Sequence, residues 1–461
     1  MTSFPVRRAA FRDVFAIGEF RALWASQTLS EVGDRLALVA LTLLVYDRTH
    51  SPLLSAVAYS AGYVPWVIGG LALCGLGDRL PRRELMVACD LIRALLVAVM
   101  LIPGIPVAGL VALLYASSMA QAPFEAARSA ILPDILKGER YALAAAIMQT
   151  SFRVAIVAGA VAGGITVAFI GVRPALAVDA ATFVASAALV RFGTKPRPAV
   201  AAAAPDTPNA PNTPNTPNTP NPPNALKQLS EGARLVLGDK AIRTLMMLGW
   251  LIALYSIPEG IAAPYAATLR GGPAAAGLVI ASGQVGAVLA APVFTKTVGP
   301  LTRMRWMGPM AVCTCAVLLL TVFRPGLDVS LAIFALSGTF AIYQIAANTA
   351  FVEWVPDMRR AQAFGLANIG VVVGQGAALL VASAAAEIMP PATVIAVGGG
   401  LGVVTACYLA LRWRDIPPAV GRHTARHLRG PARARGRRRT ARSDQEPCQV
   451  MPLSTPAEKA A

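Results

Sequence analysis

Residues 75–103 read "GLGDRLPRRELMVACDLIRALLVAVMLIP", and the two parts of this stretch obey different physics. From Gly75 to Arg83, four charges crowd into nine residues. From Leu85 to Pro103 the chain is apolar apart from Asp90 and Arg93. As a helix rising 1.5 Å per residue, that run reaches about 28 Å, close to the thickness of a bilayer's hydrocarbon core. A charged knot held in water beside a run of membrane length is the sign of a helix end at a lipid surface.

The pattern recurs along the chain. Of 461 residues, 56% are hydrophobic and 14% charged, and the mean hydropathy is +0.58. A soluble domain is nearer a quarter charged. "MGPMAVCTCAVLLLTVF" (307–323) is another run of spanning length. The sequence predicts an all-α polytopic membrane protein of about twelve helices. The first six spans fall near 21–46, 52–76, 84–103, 107–128, 141–169 and 173–191. The second six fall near 241–268, 273–297, 305–323, 327–352, 362–388 and 391–412.

Orientation follows from arginine and lysine in the short loops. One set of connections holds Arg79, Arg82 and Arg83, then Arg128, Lys137 and Arg140, then Arg303 and Arg305, then Arg359 and Arg360. The alternate set holds Arg48, Arg173, Arg270 and Arg324, at most one per loop. Both basic termini join the rich set, so both are expected in the cytoplasm and the protein in the inner (plasma) membrane. The start "MTSFPVRRAAFRDVF" leads into a segment bearing Glu31, Asp34 and Arg35 without a small-residue cleavage site, so no cleavable signal is expected.

Four regions are expected: a six-helix bundle over 1–192, a linker over 193–240, a second bundle over 241–412 and a basic tail over 413–461. The linker repeats Pro-Asn-Thr units, which favour an extended cytoplasmic tether. The tail, "RGPARARGRRRTARS" at its centre, carries much of the net charge of +17. It is expected to be disordered and drawn to anionic lipids of the inner leaflet rather than to nucleic acid.

The two bundles read as copies. "GDRLPRR" (77–83) and "GPLTRMR" (299–305) stand 222 residues apart. Pro133-Asp134 and Pro356-Asp357 stand 223 apart, as do Gln121 and Gln344. Duplicated bundles of this kind build a large class of secondary transporters.

At this point the sequence resembles the major facilitator superfamily, over nearly everything but the linker and the tail. That family carries a loop motif, roughly G-x-x-x-D-R-x-G-R-R, after its second helix. Asp78, Arg79, Arg82 and Arg83 match it, whereas Cys74 and Pro81 replace its two glycines. "DLIRALLVA", "RSAILPDIL…ER" and "VDAATF" are similar to a branch with siderophore and macrolide exporters. The resemblance implies two pseudo-symmetric bundles that rock about a central site. It also implies that Asp78 contacts a neighbouring helix end in the outward-facing state; the arginines alone would equally serve orientation. Gly159, Gly163 and Gly164 are spaced as in the family's exporter motif G-P-x-x-G-G, with Ala160 in place of proline. Plain helix packing explains the same glycines.

Ionisable residues at membrane depth are costly and invite a functional explanation. Asp34 lies about 20 Å into the first span and Arg153 about 18 Å into the fifth, so Asp34–Arg153 is the expected intramembrane pair. Asp34, with Glu31 as the alternative, is the candidate for proton coupling; a static bridge is the competing reading. Asp90 and Arg93, one turn apart, are expected to pair locally, and Asp179 to be structural. Gln121, Gln149, Glu259, Gln344, Asn348 and Gln375 are candidates for the substrate cavity, although helix–helix hydrogen bonds explain the amides equally well.

The three histidines fall outside the spans, Cys313 and Cys315 point to different helix faces, and no G-x-x-x-x-G-K-[ST] loop is present. No metal, cofactor or enzymatic activity is expected. The expected function is proton-coupled efflux of small amphipathic molecules by a monomer, of the kind that underlies multidrug resistance. An importer of a polar solute and a non-transporting sensor are the alternatives.

Overall fold

The computed structural model describes residues 11–73, 80–197, 238–356 and 360–414. A short helix, Phe11–Phe15, precedes twelve spans. The first is Gly18–Thr49; the second is broken into Pro52–Ser60 and Val64–Leu73; the third is Arg82–Met100. The fourth comprises Val107–Met119 and Gln121–Ile135, and the fifth and sixth are Glu139–Phe169 and Val172–Gly193. In the second half, the seventh span is four short helices, Lys240–Trp250, Ile252–Tyr255, Ile257–Gly260 and Ala262–Thr268. Then come Gly272–Thr297, Pro300–Ala316 continued by the 3₁₀ turn Val317–Phe323, and the pair Leu327–Phe340 and Tyr343–Trp354. Arg360–Ala386 and Pro391–Arg414 complete the set. Among the described residues, nine helical stretches are long and apolar enough to cross a membrane on length and composition alone. The first span carries Glu31, Asp34 and Arg35 at its middle, which lowers its apolar character.

The all-α architecture is the expected one, two pseudo-symmetric six-helix bundles. The internal copying extends to irregularities. The fourth span breaks just before Gln121 and the tenth just before Tyr343-Gln344, the pair of positions already matched in sequence. Asp78, Arg79 and the Asp357–Arg359 stretch lie outside the described residues, as do most of the linker and the tail.

With alternating spans, residues 18 and 414 lie on one face, here the terminal side; the opposite face is the distal side. Packing differs between them. On the distal side one apolar core draws on both halves, joining Leu38, Leu41 and Tyr59 to Ile261, Tyr265, Val279 and Leu379. On the terminal side the cores are separate. One holds Leu245, Met307, Phe351 and Leu409 of the second half; two others, around Leu85 and Phe124 and around Phe20 and Leu136, belong to the first.

The tightest contact between halves is the crossing of the fifth and eighth spans at two glycines. A Cβ on Gly164 would stand 2.9 Å from Gly277 Cα, and one on Gly277 would stand 2.6 Å from the Ala160 carbonyl oxygen. Both obstacles are backbone and cannot yield as a flexible side chain does. Lipid tails are as apolar as leucine, so helices in a membrane associate largely through such close approach. A polar contact lies farther out on the same side: the Glu387 carboxylate accepts from Ser51 Oγ at 2.5 Å and from the Leu53 amide at 3.1 Å, at the start of the second span.

Two outcomes follow from this closure. Gly277→Leu should force the helices apart and cost about 1–3 kcal/mol. That would lower the melting temperature of the solubilised protein, whereas Gly249→Ala, whose added carbon would meet nothing within 4 Å, should not. Glu387→Ala removes contacts worth about 1 kcal/mol. Spin labels at Ile102 and Phe323, on the distal ends of the two halves, should then show a larger long-distance fraction.

Candidate functional site

The polar interior of the first half is organised by Arg93. Its guanidinium pairs with Asp34 Oδ1 at 2.5 Å, and its side chain is 3% exposed. It also lies 4.2 Å above the centre of the Phe183 ring. The aliphatic turn-by-turn packing of the third span leaves Cys89, Asp90, Arg93, Ala94 and Val97 buried on one stripe, which carries the arginine inward. Two further carboxylates, Asp90 and Asp179, are buried beside it and within its electrostatic reach. Asp90 Oδ2 accepts from Ser186 Oγ at 2.6 Å. Asp90 Oδ1 and Arg93 Nε have no hydrogen-bond partner among the described residues.

The expected pair Asp34–Arg153 is not made. Arg153 is exposed on the fifth span. That span meets the first through Gly159 and Gly163, whose added carbons would stand 2.7 Å from the Val32 carbonyl oxygen and 3.1 Å from Leu36 Cα. Six residues from Gly159, Arg153 is turned about 120° away from that contact line. The expected local pair Asp90–Arg93 is likewise replaced: Arg93 reaches across to Asp34, and Asp90 is held by Ser186. Depth alone suggested Arg153; helix rotation selects Arg93.

Glu31 is buried and pairs with Arg35, one turn on, at 2.9 Å. Glu31, Asp34, Arg35, Gln121 and Asp179 all line one cavity of about 20 Å³, enough for a water molecule. Asp179, expected to be structural, thus faces the same space as Asp34. Gly33 makes this possible, since a side chain there would collide with Thr182 and Asp179 of the sixth span.

A second polar group joins the halves. Glu259 of the seventh span accepts from Gln284 Nε2 at 3.0 Å and from the hydroxyls of Tyr59 and Tyr63, each at 3.3 Å. The tyrosines belong to the first half. Gln344 instead ties the tenth span to the seventh, donating to the Gly249 carbonyl oxygen at 3.1 Å and to Tyr255 Oη at 3.2 Å. Gln375 is buried, whereas Gln149 and Asn348 are exposed. Among the described residues no group of three or more His, Cys, Asp or Glu is arranged to hold a metal.

In the charged loop, Arg82 pairs with Asp134 at 2.8 Å and donates to the Ala130 carbonyl oxygen at 2.8 Å, fastening the third span to the end of the fourth. Arg83 pairs with Glu84 at 2.7 Å and reaches the Thr194 carbonyl oxygen. Of the three motif glycines, Gly159 and Gly163 pack on the first span and Gly164 on the other half. Sequence reasoning missed Arg93 as the partner of Asp34, and it missed Tyr59 and Tyr63. The tyrosines' spacing of four, one helical turn, was the available signal.

Two bundles with buried charge and a polar junction between them define a multi-pass membrane transporter fold. A profile of the Major Facilitator Superfamily matches residues 23–342, and the chain belongs to that family. It is 27% identical over 184 residues to an uncharacterized MFS-type transporter, YkuC, of Bacillus subtilis, covering 39% of this chain and 42% of that protein. It is 26% identical over 136 residues to macrolide efflux protein A of Streptococcus pyogenes, covering 29% and 34%. The matches therefore span less than half the length of these relatives. Among solved structures, a POT family transporter in complex with a thioalcohol-conjugated peptide aligns with a TM-score of 0.66 at 11% identity, covering 87% of this chain and 96% of that one. A bacterial homologue of the iron transporter ferroportin aligns with a TM-score of 0.59 at 13% identity, covering 86% and 98%.

Arg93→Leu strands the partly buried Asp34 and the buried Asp90 and Asp179 without their cation, and breaking a buried pair costs about 3–5 kcal/mol. Folded yield and melting temperature should fall sharply. Exposed Arg153→Leu should change stability by no more than about 0.5 kcal/mol.

Proposed function

We propose that this chain is a secondary-active exporter of small amphipathic molecules, driven by proton exchange at Asp34. The observation that carries the reading is the Asp34–Arg93 ion pair set beside a cavity in the bundle interior. A static bridge needs neither the cavity nor two further buried carboxylates around one guanidinium. Protonating Asp34 would release Arg93 to Asp90 or Asp179, so one proton can exchange one internal pairing for another. Glu31 remains the alternative acceptor, tied to Arg35 at the same cavity. Arg153 has no part in this reading. The local match to macrolide efflux protein A supports export as the direction.

In this reading the terminal side is cytoplasmic, the membrane is the plasma membrane, and the bundles of 1–192 and 241–412 rock about a junction closed on the distal side. The 193–240 linker and the basic 413–461 tail then lie in the cytoplasm, the tail against anionic lipid. Asp78 and Arg79 act with Arg82 and Arg83 as the switch loop, Gly159, Gly163 and Gly164 as the packing surface for rocking, and the chain works as a monomer rather than as an enzyme. Of the cavity candidates, Glu259 and Gln121 fit best; Gln344 and Gln375 support the second bundle, and Gln149 and Asn348 are left without a role.

Purified protein in liposomes with an acidic interior tests this with a labelled macrolide outside. Exchange predicts macrolide accumulation together with loss of internal acid, and Asp34→Asn should abolish both. Accumulation only when the exterior is acidic would mark an importer, and wild-type proton exchange by Asp34→Asn would remove the coupling role.

A further inference from the structure

The junction between the halves contains an acid whose ionised form its surroundings do not balance. Glu259 is half-buried, in the third of the four short helices of the seventh span and about two-thirds of the way to the distal side. All three of its hydrogen-bond donors, Gln284, Tyr59 and Tyr63, are neutral. The guanidinium within electrostatic reach is Arg35, and Arg35 is already committed to Glu31 at 2.9 Å. With all three ionised, Glu31, Arg35 and Glu259 together carry one net negative charge. At membrane depth a charge is kept where it pairs with something.

The remaining surroundings suggest what that partner is. The rings of Tyr59 and Tyr63 lie 6.0 Å apart, tilted by 53°, beside the carboxylate. Aromatic faces attract cations, and more strongly once these are desolvated. Ile257 and Ile261, on either side of Glu259 in the chain, and Leu38 of the first half belong to the shared apolar core. A carboxylate, two aromatic rings and an apolar wall form a receptor for an ammonium group carried on an apolar body. An anion meets net negative charge, and a neutral solute leaves the carboxylate unbalanced. We propose that Glu259, Tyr59 and Tyr63 form the recognition site for a protonated amine, so that the exported molecules are cationic amphiphiles. This rests on the exporter reading above.

Because the tyrosines come from one half and the carboxylate from the other, the site is complete only while the distal side is closed. Separation of the halves there would take two donors and both rings away from the carboxylate and release the amine.

A matched set of probes tests the site on the full chain in nanodiscs, without any gradient: 1-pyrenemethylamine, its uncharged N-acetyl derivative and the anionic 1-pyrenecarboxylate. Binding is read by energy transfer from tryptophan. The amine should bind at least about tenfold more tightly than the amide, and the carboxylate most weakly. Glu259→Gln keeps the shape and the tyrosine contacts and should level amine and amide; Tyr63→Phe should weaken the amine by a smaller factor. Equal affinities for amine and amide in the wild-type protein, no binding of the amine, or a preference surviving Glu259→Gln would each overturn the proposal. The wild-type comparison stands whether or not the variant folds. It is also separate from the coupling test: amine selectivity without proton exchange sinks the exporter reading and leaves the site, and the reverse result sinks the site alone.

Discussion

A charge inside a bilayer must find its partner within the protein, and the Asp34–Arg93 pair is where this chain meets that demand. The third span turns its buried stripe so that Arg93 enters the bundle, the sixth supplies Phe183 beneath the guanidinium, and the first supplies the carboxylate. Gly33 lets the first and sixth spans approach closely enough for Asp179 to join them. These three spans are thus locked in rotation as well as in position. Apolar packing alone would fix rotation weakly, because lipid and leucine offer nearly the same environment.

A second constraint acts between the halves, and it is steric. Gly164 and Gly277 allow the fifth and eighth spans to touch backbone to backbone, and the shared apolar core surrounds that crossing. The fifth span presents small residues on two faces: Gly159 and Gly163 toward its own bundle, Gly164 toward the other. One helix therefore belongs to both packing systems, and any rocking of the bundles must slide along its second face. Separate cores on the terminal side let the halves part there without breaking a common apolar cluster.

Much of this was legible in the chain. Span lengths follow from the thickness of the hydrocarbon core, so most spans fall within a few residues of the apolar runs, the fourth running on to Ile135 and the ninth starting at Pro300, and duplicated loops announce duplicated bundles. The break ahead of Gln121 and Gln344 was visible as a repeated residue, though not as a break. Rotation about each helix axis was far less legible. Asp34 and Arg153 have matching depths, but nothing in the sequence of the fifth span says that the Gly159–Gly163 line faces the first span and so turns Arg153 away. Arg93 was noticed and given to Asp90, its neighbour in sequence, because local spacing is visible and cross-helix facing is not. Glu259 was recognised as costly; that two tyrosines from the other half would serve it depends on the closure of the distal side, which no single segment encodes.

The copies have diverged most in their electrostatics. Of seven ion pairs among the described residues, five lie within the first bundle and two tie Lys195 and Arg197 of the linker to Glu19 of the first span. Among the described residues of the second half, Tyr343 donates to the Leu248 carbonyl oxygen, Trp250 to that of Ala367, Tyr265 pairs with Ser330, and Arg303 donates to the Val298 and Thr295 carbonyl oxygens. A bundle tied by ion pairs responds to a proton, because protonating one carboxylate frees a cation in a low-dielectric interior where each charge interaction is strong. Glu259 bridges the two halves: it belongs to the second, yet two of its three donors, and the nearby Arg35, come from the first.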